Sequence, residues 1–333
     1  MEIKKILVIF KTHLDIGFTD FSNTVTEKYM SVFIPNAIKT ANELRESGTD
    51  ARMIWTTGSW LIYKYLKTFK GKPEEKILSD AIERGDIRWH ALPFTTHTEL
   101  MSPQLFEYGI SYSQGLDSRF NQKTIAAKLT DVPGHTKAMI PYLKKAGIQF
   151  LHIGVNEASA VPDVPEIFKW QCDSGESVIV MYNGDYGKFT PIGDTGTAVM
   201  FAHTGDNLGC QSAEDTIELF KKLHADYPEA VVMAGTLDDV ANEVNKIADT
   251  LPTVTDEIGD SWIHGAGTDP IKTQMFRKLE QVWINMPEGE DKTTLGDGII
   301  MIPEHTWGLD EKTHLHDNVY YKRTDFERLR SSA

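Results

Sequence analysis

The chain has 333 residues, a formal net charge of −14, 41% hydrophobic residues and 25% charged residues. This composition allows a buried core, and no apolar run approaches the roughly 20 residues that a membrane span needs. The acidic excess argues against a nucleic-acid partner, because phosphate binding needs a basic face. The two cysteines, Cys172 and Cys210, provide neither a disulfide framework nor a cysteine metal cluster. We therefore expect a cytoplasmic protein without a membrane partner, and a homo-oligomer is compatible with these features.

Strand-like and helix-like patterns alternate along the whole chain. The sequence predicts strands at 3–10, 52–56, 87–93, 124–129 and 150–155, with helices between them at 23–46, 60–69, 74–84, 104–120 and 137–146. Further along, it predicts strands at 178–182, 198–203, 231–234 and 299–302 and helices at 214–224, 238–249 and 271–284. Such alternation indicates parallel strands with crossover helices, either wound into a barrel or doubly wound. In both layouts the reacting groups lie at the carboxyl ends of strands.

The first strand ends in a pair of candidate ligands. The apolar run Ile6-Leu7-Val8-Ile9-Phe10 predicts a fully buried strand, which stops at His13-Leu14-Asp15. Residues two apart in an extended segment point to the same side, so His13 and Asp15 converge. One nitrogen ligand and one oxygen ligand make half of a divalent-metal site. The alternative interpretation is a histidine that is only hydrogen-bonded within a loop.

Two further candidate ligands follow later elements. The strand at 124–129 leads into Thr130-Asp131-Val132-Pro133-Gly134-His135, whose Pro-Gly turn leaves the Asp131 carboxylate at a strand tip. A purely structural role for Asp131 in a turn or helix cap is the alternative. His264 lies in Trp262-Ile263-His264-Gly265, where glycine permits close approach. Two imidazoles and two carboxylates would suit Zn²⁺, and Mn²⁺ or Co²⁺ accepts the same ligands.

Several motifs together resemble one enzyme family. The segment His13-Leu14-Asp15-Ile16-Gly17-Phe18 resembles the H-x-D-x-G-W opening of the glycoside hydrolase family 38 α-mannosidases, with phenylalanine in place of tryptophan. Asp131-Val132-Pro133-Gly134-His135-Thr136 is similar to that family's D-x-F-G-H-S motif. Phe168-Lys169-Trp170 with Asp173-Ser174-Gly175, and then Trp262-Ile263-His264-Gly265, resemble two later motifs. The order and spacing agree over about residues 3–285.

The resemblance implies a fold, a cofactor and a reaction. The fold is α/β: a seven-stranded β/α barrel as the catalytic domain at 1–267, with residues 268–333 starting a C-terminal helical region. One Zn²⁺ would be held by His13, Asp15, Asp131 and His264, and the substrate would be a carbohydrate with a terminal α-linked sugar. Asp131 would also be the nucleophile of a retaining α-mannosidase-like glycosidase, which forms a covalent glycosyl-aspartate.

A retaining glycosidase needs a second carboxylate as acid and base. Phe201-Ala202-His203-Thr204-Gly205-Asp206-Asn207 has the expected place between a strand and a helix, and we assign the role to Asp206. An alignment shifted by one residue would put Asn207 there, and an amide cannot donate a proton as an acid does. Asp185 is a second candidate, although its turn-forming neighbours favour a structural role.

A third group of residues could bind the sugar. These are an aromatic pair after the second strand, two polar residues after the third and two residues of a late motif: Trp55, Trp60, His97, Glu99, His305 and Trp307. Core packing is the alternative for the first pair, and an ordinary polar loop for the second. The late motif, Glu304-His305-Thr306-Trp307-Gly308, looks like a site loop.

Two other functions remain open from the sequence. A metal-dependent carbohydrate deacetylase of the same fold would also use aspartate and histidine ligands, with a metal-bound water attacking an amide. A non-catalytic glycan-binding protein that keeps the metal is the alternative from another class. The family's proteins are usually far longer than this chain, which makes their additional domains relevant to substrate choice.

Overall fold

The computed structural model describes residues 2–131, 135–156, 159, 161–258, 270–306 and 322–332. It is a mixed α/β structure with two sheets whose strands are mostly parallel. The strands are β1 Lys5–His13, β2 Trp55–Gly58, β3 Ile87–His90, β4 Ala126–Asp131, β5 Phe150–Val155, β6 Ile167–Gln171, β7 Ser177–Asn183, β8 Thr190–Pro191, β9 Thr197–Asp206, β10 Val231–Ala234 and β11 Thr253–Val254.

Helices connect and cover these strands. They are α1 Ser22–Lys28, α2 Ile34–Glu46, α3 Ser59–Thr68, α4 Pro73–Glu83, α5 Pro103–Phe120, α6 Ile140–Lys145, α7 Ala213–Asp226, α8 Leu237–Asn245, α9 Pro270–Ile284, α10 Glu290–Ile299 and α11 Arg323–Ser332. A π-helical turn, Tyr29–Phe33, joins α1 to α2. None of the described helices combines the length and the apolar character that a membrane crossing requires.

The strand order brings the carboxyl ends of the central strands together. The first sheet has the order β3-β2-β1-β9-β8, with β10 beside the first half of β1, and the second has the order β11-β6-β7-β5-β4. The pairs β1–β9, β1–β2, β2–β3, β4–β5 and β5–β7 are all parallel. Because parallel strands end at the same edge, each sheet has one edge where side chains from several strands can meet.

The two sheets are linked but do not close. The backbone N–H of Ala91, just after β3, donates a 2.9 Å hydrogen bond to the carbonyl of Ala126 at the start of β4. No closed barrel is formed by the strands of the described ranges. The seven-stranded barrel implied by the family resemblance is therefore not confirmed, whereas the α/β class with parallel strands is.

The alternation of β1 explains how the sheets pack. Its even residues Ile6, Val8 and Phe10 belong to the large core cluster that includes side chains from the covering helices. Its odd residues Leu7 and Ile9 belong to a second cluster with residues of β4, β5, β7 and β9, so this cluster joins the two sheets. Full burial of each such side chain contributes about 1.5–3 kcal/mol to folding. The next odd residues of β1 are Lys11 and His13, which places polar groups above this apolar layer.

The late predicted strand at 299–302 is wrong. Residues 290–299 form α10, and a turn follows. Ile299 and Ile300 are buried at the end of this helix, so the apolar run packs as a helix terminus. The carboxylate of Asp297 fixes α10 by accepting hydrogen bonds from three tyrosines and a lysine of α3 and α5: Tyr63, Tyr108, Tyr112 and Lys67, at 2.6–2.8 Å.

Candidate metal centre and active site

Four side chains converge at the carboxyl ends of the central strands. One potential ligand atom from each of His13, Asp15, Asp131 and His305 lies within 4.8 Å of all the others. Nε2 of His13 is 3.1 Å from Oδ1 of Asp15 and 3.0 Å from Nε2 of His305. Nε2 of His305 is also 3.1 Å from Oδ1 of Asp15 and from Oδ2 of Asp131. All four residues are buried.

Strand ends explain the positions of three of these residues. His13 ends β1, Asp15 lies two residues beyond it, and Asp131 ends β4. Asp131 has a backbone φ of 88°, a left-handed conformation that non-glycine residues rarely adopt. Such strain persists only where the surrounding structure over-determines it, and it is concentrated at functional sites.

Asn207 fixes the backbone at Asp15. Its side-chain Oδ1 accepts from the N–H of Asp15, and its Nδ2 donates to the carbonyl of Asp15, both at 3.1 Å. The amide is thereby committed to the segment after β1. This observation disfavours the shifted alignment in which Asn207 would take the place of the acid.

His305 reaches the group through a contact with the segment after β3. An isolated antiparallel bridge joins Thr96 to Glu304. The N–H of His97 donates to the carbonyl of Pro303 at 2.8 Å, and the N–H of His305 donates to the carbonyl of Thr95 at 3.3 Å. These bonds hold residues 303–305 against residues 95–97, which follow β3.

The donor set fits a divalent metal ion. It offers two imidazole nitrogens and two carboxylates, a combination that Zn²⁺ and other first-row metals accept. Oδ2 of Asp15 is buried and has no hydrogen-bond partner among the described residues. A buried carboxylate oxygen without a partner is costly, and a bound cation would satisfy it. The close approach of the two Nε2 atoms is likewise explained if both face one ion.

The imidazoles and the carboxylates around them favour each other's charged forms. Burial alone would lower the pKa of His13 and of His305, but the charge of Asp15 beside His13 and of Glu304 beside His305 raises both pKa values. Burial alone would raise the pKa of Asp15 and of Asp131, yet their contacts with the two imidazoles hold both pKa values below the usual range. Both carboxylates are therefore anionic at neutral pH.

Asp131 has a second set of partners on its other oxygen. Its Oδ1 accepts a 2.9 Å hydrogen bond from the hydroxyl of Tyr186 and a 3.0 Å bond from Nδ2 of Asn156. The Tyr186 ring stacks on His13 with the centroids 4.7 Å apart and the planes at 22°. The carbonyl of Tyr186 in turn accepts from the amino group of Lys11, which is fully buried in β1.

Asp206 ends β9 beside the metal-ligand candidates. Its Cα is paired with that of His13 across the two strands, at an irregularity in the pairing. Burial first, and then the charges of Asp15 and Asp131, raise the pKa of Asp206 above its usual value. Asp185, by contrast, is exposed, and its Oδ1 accepts from the N–H of Tyr186 at 2.5 Å. This contact is typical of a turn, so it favours the structural role for Asp185 over the acid and base role.

The predicted sugar-binding residues have different surroundings. Trp55 and Trp60 are 0% and 2% exposed and lie in the hydrophobic core, so neither has an open ring face, and core packing is the interpretation that the structure favours. His97 is buried, and its Nε2 lies 3.2 Å from the carbonyl of His305, so it supports the late segment. Glu99 lies in a short turn, where its carbonyl accepts from Arg277.

Two predicted site residues, His264 and Trp307, lie outside the described residues, so both assignments remain predictions. Sequence reasoning did not assign Tyr186 or Asn156 to the site, and it included Glu304 only as part of the late motif that looks like a site loop. The available signal for Tyr186 was its position as an aromatic residue soon after the predicted strand at 178–182. His305 was expected to bind sugar, but its ring lies among the ligand candidates instead.

Sequence comparison gives one partial match. Residues 266–333 match a family described as a domain of unknown function, DUF5054, which covers about a fifth of the chain. No curated protein matches the chain by sequence.

Two solved structures share much of the fold of this chain. An α-mannosidase from Enterococcus faecalis V583 superimposes with a TM-score of 0.61 and 14% identity, over 77% of this chain and 31% of that one. A protein of glycosyl hydrolase family 38 from Enterococcus faecalis gives a TM-score of 0.58 and 11% identity, over 100% of this chain and 38% of that one. This chain shares its fold with glycoside hydrolases.

The same fold extends to a second group of enzymes. A branching enzyme of the GH57 type from Pyrococcus horikoshii gives a TM-score of 0.54 and 10% identity, over 91% of this chain and 86% of that one. The resemblance to glycoside hydrolase family 38 drawn from the motifs is confirmed at the level of fold. The chain spans about a third of the length of the two Enterococcus proteins.

Proposed function

We propose that the chain carries the active site of a metal-dependent retaining α-glycosidase that hydrolyses terminal α-linked sugars, mannosides first among them. The observation that carries the proposal is the convergence of His13, Asp15, Asp131 and His305 at strand ends. The fold shared with an α-mannosidase supports the choice of substrate class. We further propose that β9, β1, β2, β3, β4, β5 and β7, linked through Ala91 and Ala126, form the incompletely closed barrel of that fold.

The four converging residues would hold one divalent ion, Zn²⁺ in our proposal. When bound, such an ion would supply a Lewis-acidic anchor for sugar hydroxyls, held in place by His13, Asp15, Asp131 and His305. His264, which the sequence predicts as a ligand, remains a further candidate. The region 1–267 is proposed as the catalytic domain and 268–333 as the start of a helical region that also contributes His305.

Asp131 has the features of the nucleophile. It is anionic, its backbone is fixed in a strained conformation, and its two oxygens face different partners. In the first step a carboxylate oxygen of Asp131 would bond to the anomeric carbon as the bond to the leaving oxygen breaks. The hydroxyl of Tyr186 and the amide of Asn156 would keep the carboxylate in the attacking orientation.

Asp206 has the features of the acid and base. Its raised pKa favours the protonated form, which can donate its proton to the leaving oxygen in the first step. In the second step the ionised Asp206 would take a proton from water, and the water oxygen would displace Asp131 from the anomeric carbon. Two inversions at that carbon give net retention of configuration.

The test is a screen of aryl α-glycosides with the chain as it stands, in the presence and absence of Zn²⁺. Hydrolysis that depends on the metal and is lost in Asp131→Asn would support the proposal. Asp249→Asn, which changes an exposed aspartate, is the matched control and should keep full activity. Acetate release from acetylated sugars without glycoside cleavage, or glycan binding with no turnover, would overturn it.

A further inference from the structure

Both candidate imidazole ligands have a polar neighbour at the ring nitrogen that faces away from the group. Nδ1 of His13 is hydrogen-bonded to Oγ1 of Thr130 at 3.2 Å. Nδ1 of His305 and Oε1 of Glu304 are 2.7 Å apart as an ion pair, although the pair does not have hydrogen-bond geometry. These two outer residues are not among the four ligand candidates. Their positions matter because an imidazole that binds a metal through Nε2 carries its proton on Nδ1, where it needs an acceptor.

Thr130 is built into β4 as an acceptor. Its side chain is fully buried, and its backbone N–H is 3.3 Å from Oγ1 of Thr95. Its hydroxyl oxygen has two lone pairs. The buried ammonium of Lys128, which can only donate, takes one of them at 2.9 Å. Nδ1 of His13 lies 3.2 Å from the same oxygen, so the second lone pair is available to it.

Glu304 is held by the residue that follows His305. Its Oε2 accepts from the N–H of Thr306 at 3.2 Å and from the hydroxyl of Thr306 at 2.5 Å. The other oxygen is left to face His305. Glu304 is buried, so its charge acts on the imidazole with little screening by water.

We infer that Thr130 and Glu304 are positioning residues that fix Nε2 of His13 and of His305 as the metal-facing atoms. The two partners are unequal in charge. A carboxylate makes the imidazole beside it a stronger electron donor, whereas a hydroxyl that already accepts from an ammonium does not. His305 is therefore the more strongly held ligand. This inference rests on the proposed metal site and deepens it.

The experiment measures the dissociation constant of Zn²⁺ alone, by competition with a chromophoric chelator, for the unmodified chain and four variants. Thr130→Val removes the hydroxyl at constant size, and Thr130→Ser restores it. Glu304→Gln removes the charge at constant size. Thr56→Val is the matched control, because Thr56 is also a buried strand threonine and its hydroxyl has no hydrogen-bond partner among the described residues. Thermal melting without metal reports the integrity of each fold.

Thr130→Val is expected to weaken Zn²⁺ binding about 10- to 100-fold, and Glu304→Gln to weaken it further. Thr130→Ser and Thr56→Val should bind like the unmodified chain. Equal binding by Thr130→Val and Thr56→Val, or a loss in Thr130→Ser as large as in Thr130→Val, would overturn the role of Thr130. Unchanged binding by Glu304→Gln would overturn that of Glu304. Failure of the unmodified chain to bind Zn²⁺ would refute the metal site itself, and this inference with it.

Discussion

The hydroxyl of Tyr186 donates a 2.9 Å hydrogen bond to Oδ1 of Asp131, and the Tyr186 ring stacks on that of His13. One side chain that follows β7 thus contacts residues at the ends of β4 and β1. The buried amino group of Lys11 donates to the carbonyl of Tyr186, and burial lowers the pKa of Lys11 well below its usual value. This contact gives a structural reason for a lysine in the interior of β1, where a polar group without a partner would be costly.

Tyr186→Phe removes the hydroxyl and keeps the ring. A hydrogen bond to a charged group contributes about 1.5–3 kcal/mol, so we expect kcat on an aryl α-mannoside to fall about 10- to 100-fold. Zn²⁺ affinity should weaken as well, because Asp131 is also a proposed metal ligand, so kcat is measured at saturating Zn²⁺. Steady-state kinetics and metal titration on the same preparation check both statements. An unchanged kcat would show that the Tyr186 hydroxyl does not orient the carboxylate of Asp131.

Asp206→Ala tests the proposed proton donor. A general acid contributes about 10²- to 10⁴-fold, so substrates with poor leaving groups should lose that much, while aryl glycosides with good leaving groups lose little in the first step. The raised pKa gives a pH signature as well. The acid must be protonated, so kcat/KM should fall as pH rises through the raised pKa, and the variant should lack this fall. Equal losses on both substrate types would exclude the assignment.

His305→Ala and His264→Ala distinguish the two candidate histidines. The position of His305 among the ligand candidates leads us to expect that His305→Ala abolishes stoichiometric Zn²⁺ binding. Metal analysis after gel filtration measures this directly. If His264→Ala also loses the ion, both histidines are ligands. If only His264→Ala loses it, the arrangement around His305 described above is contradicted.

Asp238 predicts a pH dependence of stability away from the site. It lies in the first turn of α8, and burial raises its pKa to about 6, although its Oδ1 accepts from the N–H of Ile125 at 2.8 Å. The pKa is higher in the folded chain than in the unfolded one. The associated stability is therefore present below about pH 4 and is lost as pH rises through about 6.

Asp238→Asn keeps the acceptor and removes the ionisation. Above pH 6 we expect its free energy of unfolding to exceed that of the unmodified chain by up to about 3 kcal/mol. Urea denaturation at pH 4.0 and pH 7.5 measures the difference, with the exposed Asp249→Asn as control. An identical pH dependence for Asp238→Asn and the unmodified chain would show that Asp238 titrates normally.

The parts of the site that follow from local sequence were predictable. Buried parallel strands appear as continuous apolar runs, so the ends of β1 and β4, and with them His13, Asp15 and Asp131, could be located from the sequence. The short strands β6, β8 and β11 were not among the predicted strands, since their short or mixed patterns carry little signal of their own.

The position of His305 among the candidate ligands could not be found from local sequence pattern. Its place depends on the pairing of residues 95–97 with residues 303–305, a contact between segments about 200 residues apart. The sequence also left undecided whether Trp55 and Trp60 lie in the core or bind sugar. An aromatic residue near a strand end suits either a core or a sugar face. The predicted strand at 299–302 failed because a short buried run has no period that separates a strand from a helix end.

The most direct test of the central claim is to trap the covalent intermediate. The chain is incubated with Zn²⁺ and an α-glycosyl fluoride that carries a second fluorine on its sugar ring. The anomeric fluoride leaves in the first step, and the ring fluorine slows the second. The digested protein is then analysed by mass spectrometry. We predict one glycosyl group, attached to the peptide at the carboxylate of Asp131 and absent from the Asp131→Asn variant. Hydrolysis of α-glycosides with a label on another carboxylate, or with inverted product and no label, would contradict the account.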